Sequence, residues 1–274
     1  MTRIDRRHPR YASLKVRASL ARALRYGLVV PEGLIAQGRG EAFDYFLGER
    51  TTASARRAER VASRWLLNAR WPVLSVNGNV AALAAREVAA LARAIPALAV
   101  EVNLFHRTPA RARAVARALR AAGVRRVLGV RPTATIPGLA SDRARVDARG
   151  IARADVCLVP LEDGDRAEAL RRLGKRVISV DLNPLSRTSR AADVPIVDEL
   201  TRALRGIGAA ARSAPRGKAR EIPPSFDAAA ARAAAIRAMS ARLRTAARDP
   251  RGPGRSSRRP TRGTPRRSRR TRRR

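Results

Sequence analysis

The feature that most constrains this chain is an alternation. Short, nearly uninterrupted apolar runs are separated by stretches whose apolar residues recur at helical spacing. The runs are "PVLSVNGN" (72–79), "LAVEVNLF" (98–105), "RRVLGV" (125–130), "ADVCLVPLED" (154–163), "RVISVDLN" (176–183) and "VPIVDE" (194–199). The helical stretches are "AALAAREVAALARAI" (81–95), "TPARARAVARALRAAG" (108–123) and "DRAEALRRLG" (165–174), with "LTRALRGIG" after the last run. A strand that is apolar on both faces must be covered on both. The alternation therefore predicts the α/β class, with a doubly wound parallel sheet and helices on each side. Thr108, Pro109 and Gly123 read as N-cap, first-turn residue and terminator of one helix. Asp165 and Gly174 read as the cap and terminator of the next.

The flanks differ from this core. Residues 11–26 and 53–67 have helical spacing, so 1–70 are expected to form an N-terminal helical subdomain. The α/β core then spans 71–212, a polar, Pro-containing linker 213–226, and a last helix 227–248. Residues 249–274 form an Arg-rich tail. Of a formal net charge of +37, the twelve arginines from Arg251 to Arg274 carry +12 with no acidic residue among them, which leaves +25 on residues 1–250. The tail is rich in Pro, Gly, Ser and Thr, cannot bury a core and is expected to be disordered. It would attract polyanions in a salt-dependent way. In the body, Arg111, Arg113, Arg117 and Arg120 punctuate an Ala-rich helix and read as a solvated face. Aromatic residues make up 3% of the chain, and none interleave with the basic residues as base stacking would require.

Cys157 is the single cysteine, so an internal disulfide and a Cys-based zinc site are excluded. Its apolar surroundings mark it as a core residue. No run approaches the roughly 20 apolar residues of a membrane span, and the N-terminus lacks the apolar segment of a secretory signal. A soluble cytoplasmic protein is the expectation. His8 and His106 are the only histidines and suggest neither a metal site nor a triad.

In sheets of this kind ligands bind beyond the carboxyl ends of the strands. That rim carries Asn77-Gly78-Asn79, Asn103, Glu162-Asp163-Gly164-Asp165-Arg166 and Asp181-Leu182-Asn183. Three carboxylates within four residues at 162–165 repel one another, and Mg²⁺, a substrate ammonium group or an arginine would relieve that cost. Asp181 at a strand end can accept hydrogen bonds from ribose hydroxyls, and Arg187-Thr188 offer charge and a hydroxyl to a phosphate. There is no GxxxxGK[ST] loop. "GRGEAF" (38–43) follows no strand, yet its glycines permit close approach and Arg39 offers a planar fork to an anion. A helix starting near Glu41 would add free amides there.

Six collinear segments, "HPRYASL", "GLIAQGRGEAFDY", "SVNGNVAAL", "EVNLFHRT", "LVPLEDGDRAEAL" and "VISVDLNPLSRT", resemble the archaeal phosphopantothenate synthetase (4-phosphopantoate–β-alanine ligase) family. The resemblance runs from about residue 5 to 205 and returns in the last helix; the tail lies outside it. It implies a Rossmann-like core, a homodimer, a requirement for Mg²⁺, and the conversion of ATP, 4-phosphopantoate and β-alanine to 4′-phosphopantothenate, AMP and diphosphate in coenzyme A biosynthesis. By similarity ATP would be held by Arg17 and Arg39, by Asp181, Leu182 and Asn183, by Arg187 and Thr188, and by Glu199 and Leu200. From their place on the rim, Asn77, Asn79 and Asn103 are candidates for pantoate oxygens and Arg107 for its 4-phosphate. Asp163 or Asp165 would orient the amine or bind Mg²⁺. The alternatives are a basic nucleic-acid-binding protein acting through the tail, and a non-catalytic module of the same fold.

Overall fold

The computed structural model describes residues 4–8, 10–214 and 226–248 of the 274-residue chain. Most of the expected linker and the Arg-rich tail lie outside the described residues. Three helices come first: α1 (Tyr11–Arg25), α2 (Pro31–Leu47) and α3 (Ala53–Asn68). The α/β alternation follows as β1 (Pro72–Val76), α4 (Gly78–Ala94), β2 (Ala99–Val102), α5 (Pro109–Ala121) and β3 (Val127–Leu128). A two-stranded antiparallel hairpin, β4 (Ala134–Thr135) and β5 (Arg145–Val146), is inserted next. The chain returns through β6 (Val156–Pro160), α6 (Gly164–Arg172), β7 (Arg176–Val180), α7 (Arg187–Ala191), β8 (Val194–Ile196) and α8 (Leu200–Arg212), and α9 (Ala228–Arg248) completes it.

Six strands form one parallel sheet in the order β3-β2-β1-β6-β7-β8. The predicted doubly wound class is thus observed. Side chains alternate across a strand, and the register sorts them into two cores. Leu74 pairs with Val100 and Leu158, Leu158 with Ile178, and Ile178 with Val194. This row faces one core together with Trp65 and Leu66 of α3 and Leu204 of α8. The neighbouring row, Val73, Cys157, Val159 and Val177, faces the other core with Leu170 of α6. Cys157 is fully buried there, and burial pushes its thiol up to about 12.

The strands are shorter than the apolar runs, because each run ends in the polar residues that leave the ladder and form the rim. Two expectations need correction. The stretch around Arg39 is no helix start: α2 begins at Pro31, an N1 proline, and ends at Gly48 in the left-handed region (φ 77°). Arg39 projects from mid-helix, so the free amides expected beside it belong elsewhere. Nor does Asp165 cap α6. Asp163 holds the N-cap position and Asp165 sits in the first turn. Asp163 makes no capping bond either, since its carboxylate is taken by Arg143. Thr108 caps α5 as expected, accepting from Arg111 N at 3.1 Å.

Under α8 lies Glu59 of α3, 5% exposed, with Oε1 unpaired. Burial first, and the charge of Asp198 second, push its carboxyl up to about 7. The folded protein then retains a proton that the unfolded chain loses above about pH 4.5, so stability falls as pH rises from there to about 7. Glu59→Gln should remove this term. Thermal unfolding followed by circular dichroism should give a higher Tm than the parent near pH 8, with the difference vanishing as pH falls through the unfolded value.

Candidate functional site

The strand order reverses between β1 and β6, the point at which such sheets open a crevice. A cleft of about 850 Å³ lies there. Its floor is the strand ends: Asn77, Gly78 and Asn79 after β1, Leu104 to His106 after β2, Leu161 to Asp165 after β6, and Asp181 to Asn183 after β7. Its roof is α2, which contributes Gly33, Gln37, Arg39, Gly40 and Phe43. Asn79 Nδ2 donates to the carbonyl of Gly33 at 2.8 Å, and a Cβ at residue 33 would strike that side chain. Seven residues on, Gly40 lies over Leu182, 3.9 Å from where its own Cβ would be. At 1.5 Å per residue the roof spans about 10 Å from the β1 side to the β7 side.

Asn77 ties the two halves together. Its Oδ1 accepts from Val80 N at 3.0 Å as the cap of α4, and its Nδ2 donates to Leu161 O at 2.9 Å. Leu161 has φ 51°, a left-handed conformation uncommon for a residue with a side chain. The turn that follows carries the acidic cluster. Glu162 is ion-paired through Oε2 with Arg166 and through Oε1 with Arg143 Nη1 at 2.9 Å. Arg143 Nε lies 2.6 Å from Asp163 Oδ2, and Arg166 Nη1 donates to Ser75 Oγ at 3.1 Å. Of the three ways to relieve this cluster, an arginine is therefore the one present for Glu162 and Asp163. Burial raises the carboxyl of Asp163 and the charge of Arg143 partly offsets it. Asp165 lines the cleft without a hydrogen bond or ion pair among the described residues.

The β7 end is organised around Asp181, which accepts from Asn183 N at 2.9 Å and from Ser186 Oγ. Burial raises its carboxyl despite these bonds and the charge of Arg39. Thr188 Oγ1 donates to Glu162 O at 2.6 Å, which joins this end to the acidic turn. Arg187 pairs with Glu168 at 3.3 Å.

The cleft thus gathers Arg39, Asn77, Asn79, Asp163, Asp165, Asp181, Leu182, Asn183, Arg187 and Thr188. Five other candidates lie off its lining. Arg17, on α1, pairs with Glu41 at 3.2 Å. Glu199 caps α8 through Thr201 N and Arg202 N, and Leu200 is buried beside it. Asn103 is buried and donates to the carbonyls of Arg143 and Arg145 at 3.1 and 3.2 Å. Arg107 Nη2 donates to the carbonyls of Gly129 and Val130. Two lining arginines escaped the sequence reading: Arg143, in a stretch without helical or strand periodicity, and Arg111, read as part of a solvated helix face. The unbalanced acidic turn was the one signal for Arg143. Arg113, Arg117 and Arg120 are exposed as expected.

Residues 54–242 match the family described as phosphopantothenate/pantothenate synthetase. The chain belongs to that family. It is 51% identical over 222 residues to the 4-phosphopantoate–beta-alanine ligase of Methanosarcina mazei, covering 81% of this chain and 87% of that protein. With the ligase of the same name from Methanospirillum hungatei it shares 56% identity over 204 residues, 74% of this chain and 83% of the relative. The Thermococcus kodakarensis ligase is 53% identical over 204 residues, 74% and 78% of the two chains. The family match begins inside α3, consistent with that helix sharing the main core with the sheet.

Within this family fold, Arg143 is the cation that Glu162 and Asp163 share, Glu162 being paired with Arg166 as well. Removing one member of a buried ion pair strands the other charge and costs about 3–5 kcal/mol. Because Glu162 keeps Arg166 and Asp163 is partly exposed, Arg143→Met should lower stability by about 1–2 kcal/mol in urea unfolding with an unchanged m-value. A loss under about 0.5 kcal/mol would mean that the turn is held by other contacts.

Proposed function

We infer that this chain is an ATP-dependent ligase that condenses 4-phosphopantoate with β-alanine, releasing 4′-phosphopantothenate, AMP and diphosphate, in coenzyme A biosynthesis. The observation that carries the reading is the match to three ligases of that name across about three quarters of the chain or more. The cleft at the strand-order reversal supports it with the chemistry such a reaction needs.

A carboxylate is a poor acyl donor because its oxygen is a poor leaving group. Transfer of an adenylyl group to the pantoate carboxylate supplies a good one and releases diphosphate. The amine of β-alanine then attacks and AMP departs. The protein must hold two phosphorylated substrates, stabilise the charge that develops between them and receive a proton from the amine. Arg39 and Arg187 are proposed to face the triphosphate, where fixed cations stabilise developing charge. Thr188 and the Asp181-Leu182-Asn183 turn would hold the rest of the nucleotide, with Asp181 accepting from ribose hydroxyls. Asn77 and Asn79 are placed to bind pantoate oxygens. Asp163 and Asp165 are proposed to receive the amine; burial raises the carboxyl of Asp163, which makes its carboxylate a stronger base than an exposed aspartate. Arg17, Glu199 and Leu200 remain family-implied nucleotide contacts off the cleft lining, and a homodimer is likewise proposed from the resemblance.

Mg²⁺ is proposed in the same terms. Among the described residues no group of three acidic, His or Cys side chains is arranged to hold a metal. Mg²⁺ is commonly bound by one or two carboxylates together with substrate phosphates. Asp165, the carboxylate of the acidic turn that arginine leaves free, fits an ion that arrives on the triphosphate. Such an ion would neutralise phosphate charge as diphosphate leaves.

Purified protein should form AMP from ATP only when 4-phosphopantoate and β-alanine are both present, with 4′-phosphopantothenate detected by mass spectrometry. No turnover by folded protein would defeat the reading. Arg39→Ala should raise the KM for ATP at least about 10-fold, the scale of one lost charge-assisted hydrogen bond. Removal of residues 250–274 should leave turnover in place while polyanion binding falls.

A further inference from the structure

The loop after β2 carries a polar side chain that lies next to the cleft and yet is closed off from it. Asn103 is fully buried and is no part of the cleft lining. Its main-chain N–H donates to Val76 O at 2.9 Å, which fixes the residue at the end of β1. Its Nδ2 donates to the carbonyls of Arg143 and Arg145 at 3.1 and 3.2 Å. Its Oδ1 is buried without a hydrogen-bond partner among the described residues. The side chain therefore contributes its two N–H donors, and both go to the backbone on either side of Ala144. A side chain so enclosed and so committed is not available to a substrate.

What Asn103 holds is Arg143. That residue lies in a short 3₁₀ turn, Asp142–Ala144, of the insertion, where the flanking strands β4 and β5 have two residues each. So small a hairpin cannot aim a guanidinium by itself. The β2 loop grips it twice: Asn103 holds the carbonyls, and Arg107 N donates to Asp142 Oδ2 at 3.1 Å. Arg143 Nη1 in turn lies 3.4 Å from Asn103 O and 2.9 Å from Glu162 Oε1, and Nε lies 2.6 Å from Asp163 Oδ2. The series runs from the interior to the rim. Asn103 is 0% exposed, the Arg143 side chain 7% and the Asp163 side chain 42%. If Arg143 shifts, Glu162 keeps Arg166, whereas Asp163 loses its one ion-pair partner among the described residues. The loss therefore falls on the carboxylate that faces the cleft.

We propose that Asn103 is a positioning residue for the amine step: acting through Arg143, it fixes the Asp163 carboxylate where β-alanine is received, and it touches no substrate itself. The role rests on the ligase reading, in which Asp163 receives the amine. It replaces the expectation that Asn103 binds pantoate oxygens. Side chains that act on a substrate need such a buried support to hold their geometry. Adenylyl transfer to the acid involves no amine, so that half of the reaction does not depend on Asn103.

The test separates the two half-reactions in Asn103→Ala and Asn103→Asp. Exchange of labelled diphosphate into ATP, with 4-phosphopantoate present and β-alanine absent, should stay within about 3-fold of the parent. AMP formation with all three substrates should fall about 100-fold in kcat/KM for β-alanine, the scale of a group displaced by about 1 Å. The KM values for ATP and 4-phosphopantoate should not move. Asn103→Asp keeps the shape but turns a carboxylate toward two carbonyls, so it should do no better than Ala. A raised KM for 4-phosphopantoate would make Asn103 a substrate contact, and exchange lost together with AMP formation would make it a purely structural residue; either result overturns the proposal. Asn103→Ser, which keeps a donor in a smaller side chain, should fall between and covers the case in which the other two unfold. Added to Arg143→Met, it should lower AMP formation by no more than about 2-fold further, because effects along one chain of contacts do not add. A multiplied loss would refute the link. If the parent itself forms no AMP, the ligase reading fails and the anchor is read from stability instead. The urea midpoint of the double variant should then shift by less than the two single shifts together, and additive shifts would refute the link between Asn103 and Arg143.

Discussion

The site depends on one buried carboxylate. Glu162, 1% exposed at its side chain, lies between Arg166 and Arg143. Through Arg166 it reaches Ser75 on β1, through Arg143 the inserted hairpin, and through its own carbonyl Thr188 on α7. Burying so much charge does little for stability, because desolvation offsets most of the attraction between the ions. What the arrangement supplies is position. It holds the loops after β1, β6 and β7 in one constellation at the point where the sheet divides, and it presents Asp163 and Asp165 at a fixed place on the rim.

The same accounting explains how a chain with 59 basic and 22 acidic residues can still have a selective site. Among the described residues most arginines have no carboxylate within ion-pair distance, and exposed arginines of this kind attract anions without discrimination. Selectivity requires a guanidinium that is held still. Arg143 is held by carboxylates and is thereby neutralised. Arg111 is held by backbone carbonyls and keeps its charge. The partner that fixes the side chain decides whether it supports the site or keeps a free charge in it.

The sheet was legible because both faces of each central strand are buried, so its residues are apolar without alternation. The rim was legible for the complementary reason: polar residues follow each apolar run. α2 was hidden because Gly33, Gly38 and Gly40 interrupt any helical signature, and only Pro31 and Gly48 mark its ends. The β4–β5 pair was hidden because two-residue strands carry no periodicity. Arg107 and Arg111 could not be told apart by type or spacing. Arg107 precedes α5 and reaches back to the β3 loop, while Arg111 is one turn further on and faces α4. That difference is set by which carbonyls lie within reach, a tertiary fact with no local sequence signal.

Glu41 and Asp44, acidic residues beside Arg39 in a strongly basic chain, acquire a physical role from the way α2 is anchored. Glu41 accepts from Arg17, from Ser13 and, at 2.6 Å, from Tyr45, which binds α2 to α1. Asp44 pairs with Arg202 of α8 at 2.5 Å, and Arg202 in turn pairs with Asp198 at 2.7 Å. The two carboxylates hold the proton of Arg202 more firmly than usual despite its burial. Leu47 packs with Leu182, Val197 and Met239 of α9. All of these contacts fall on the C-terminal half of the helix; the ion pairs and hydrogen bonds lie off the cleft lining, while the apolar cluster reaches it at Leu182. The half that crosses the site is tied to the floor by the hydrogen bond from Asn79 to Gly33, with Leu34 packed in the cluster that holds Ala82 and Leu83. Glu41 and Asp44 therefore anchor the roof from outside, so that the carboxylates flanking Arg39 in sequence stay off the cleft lining, and Glu32 at the start of α2 is the carboxylate of this helix that faces it.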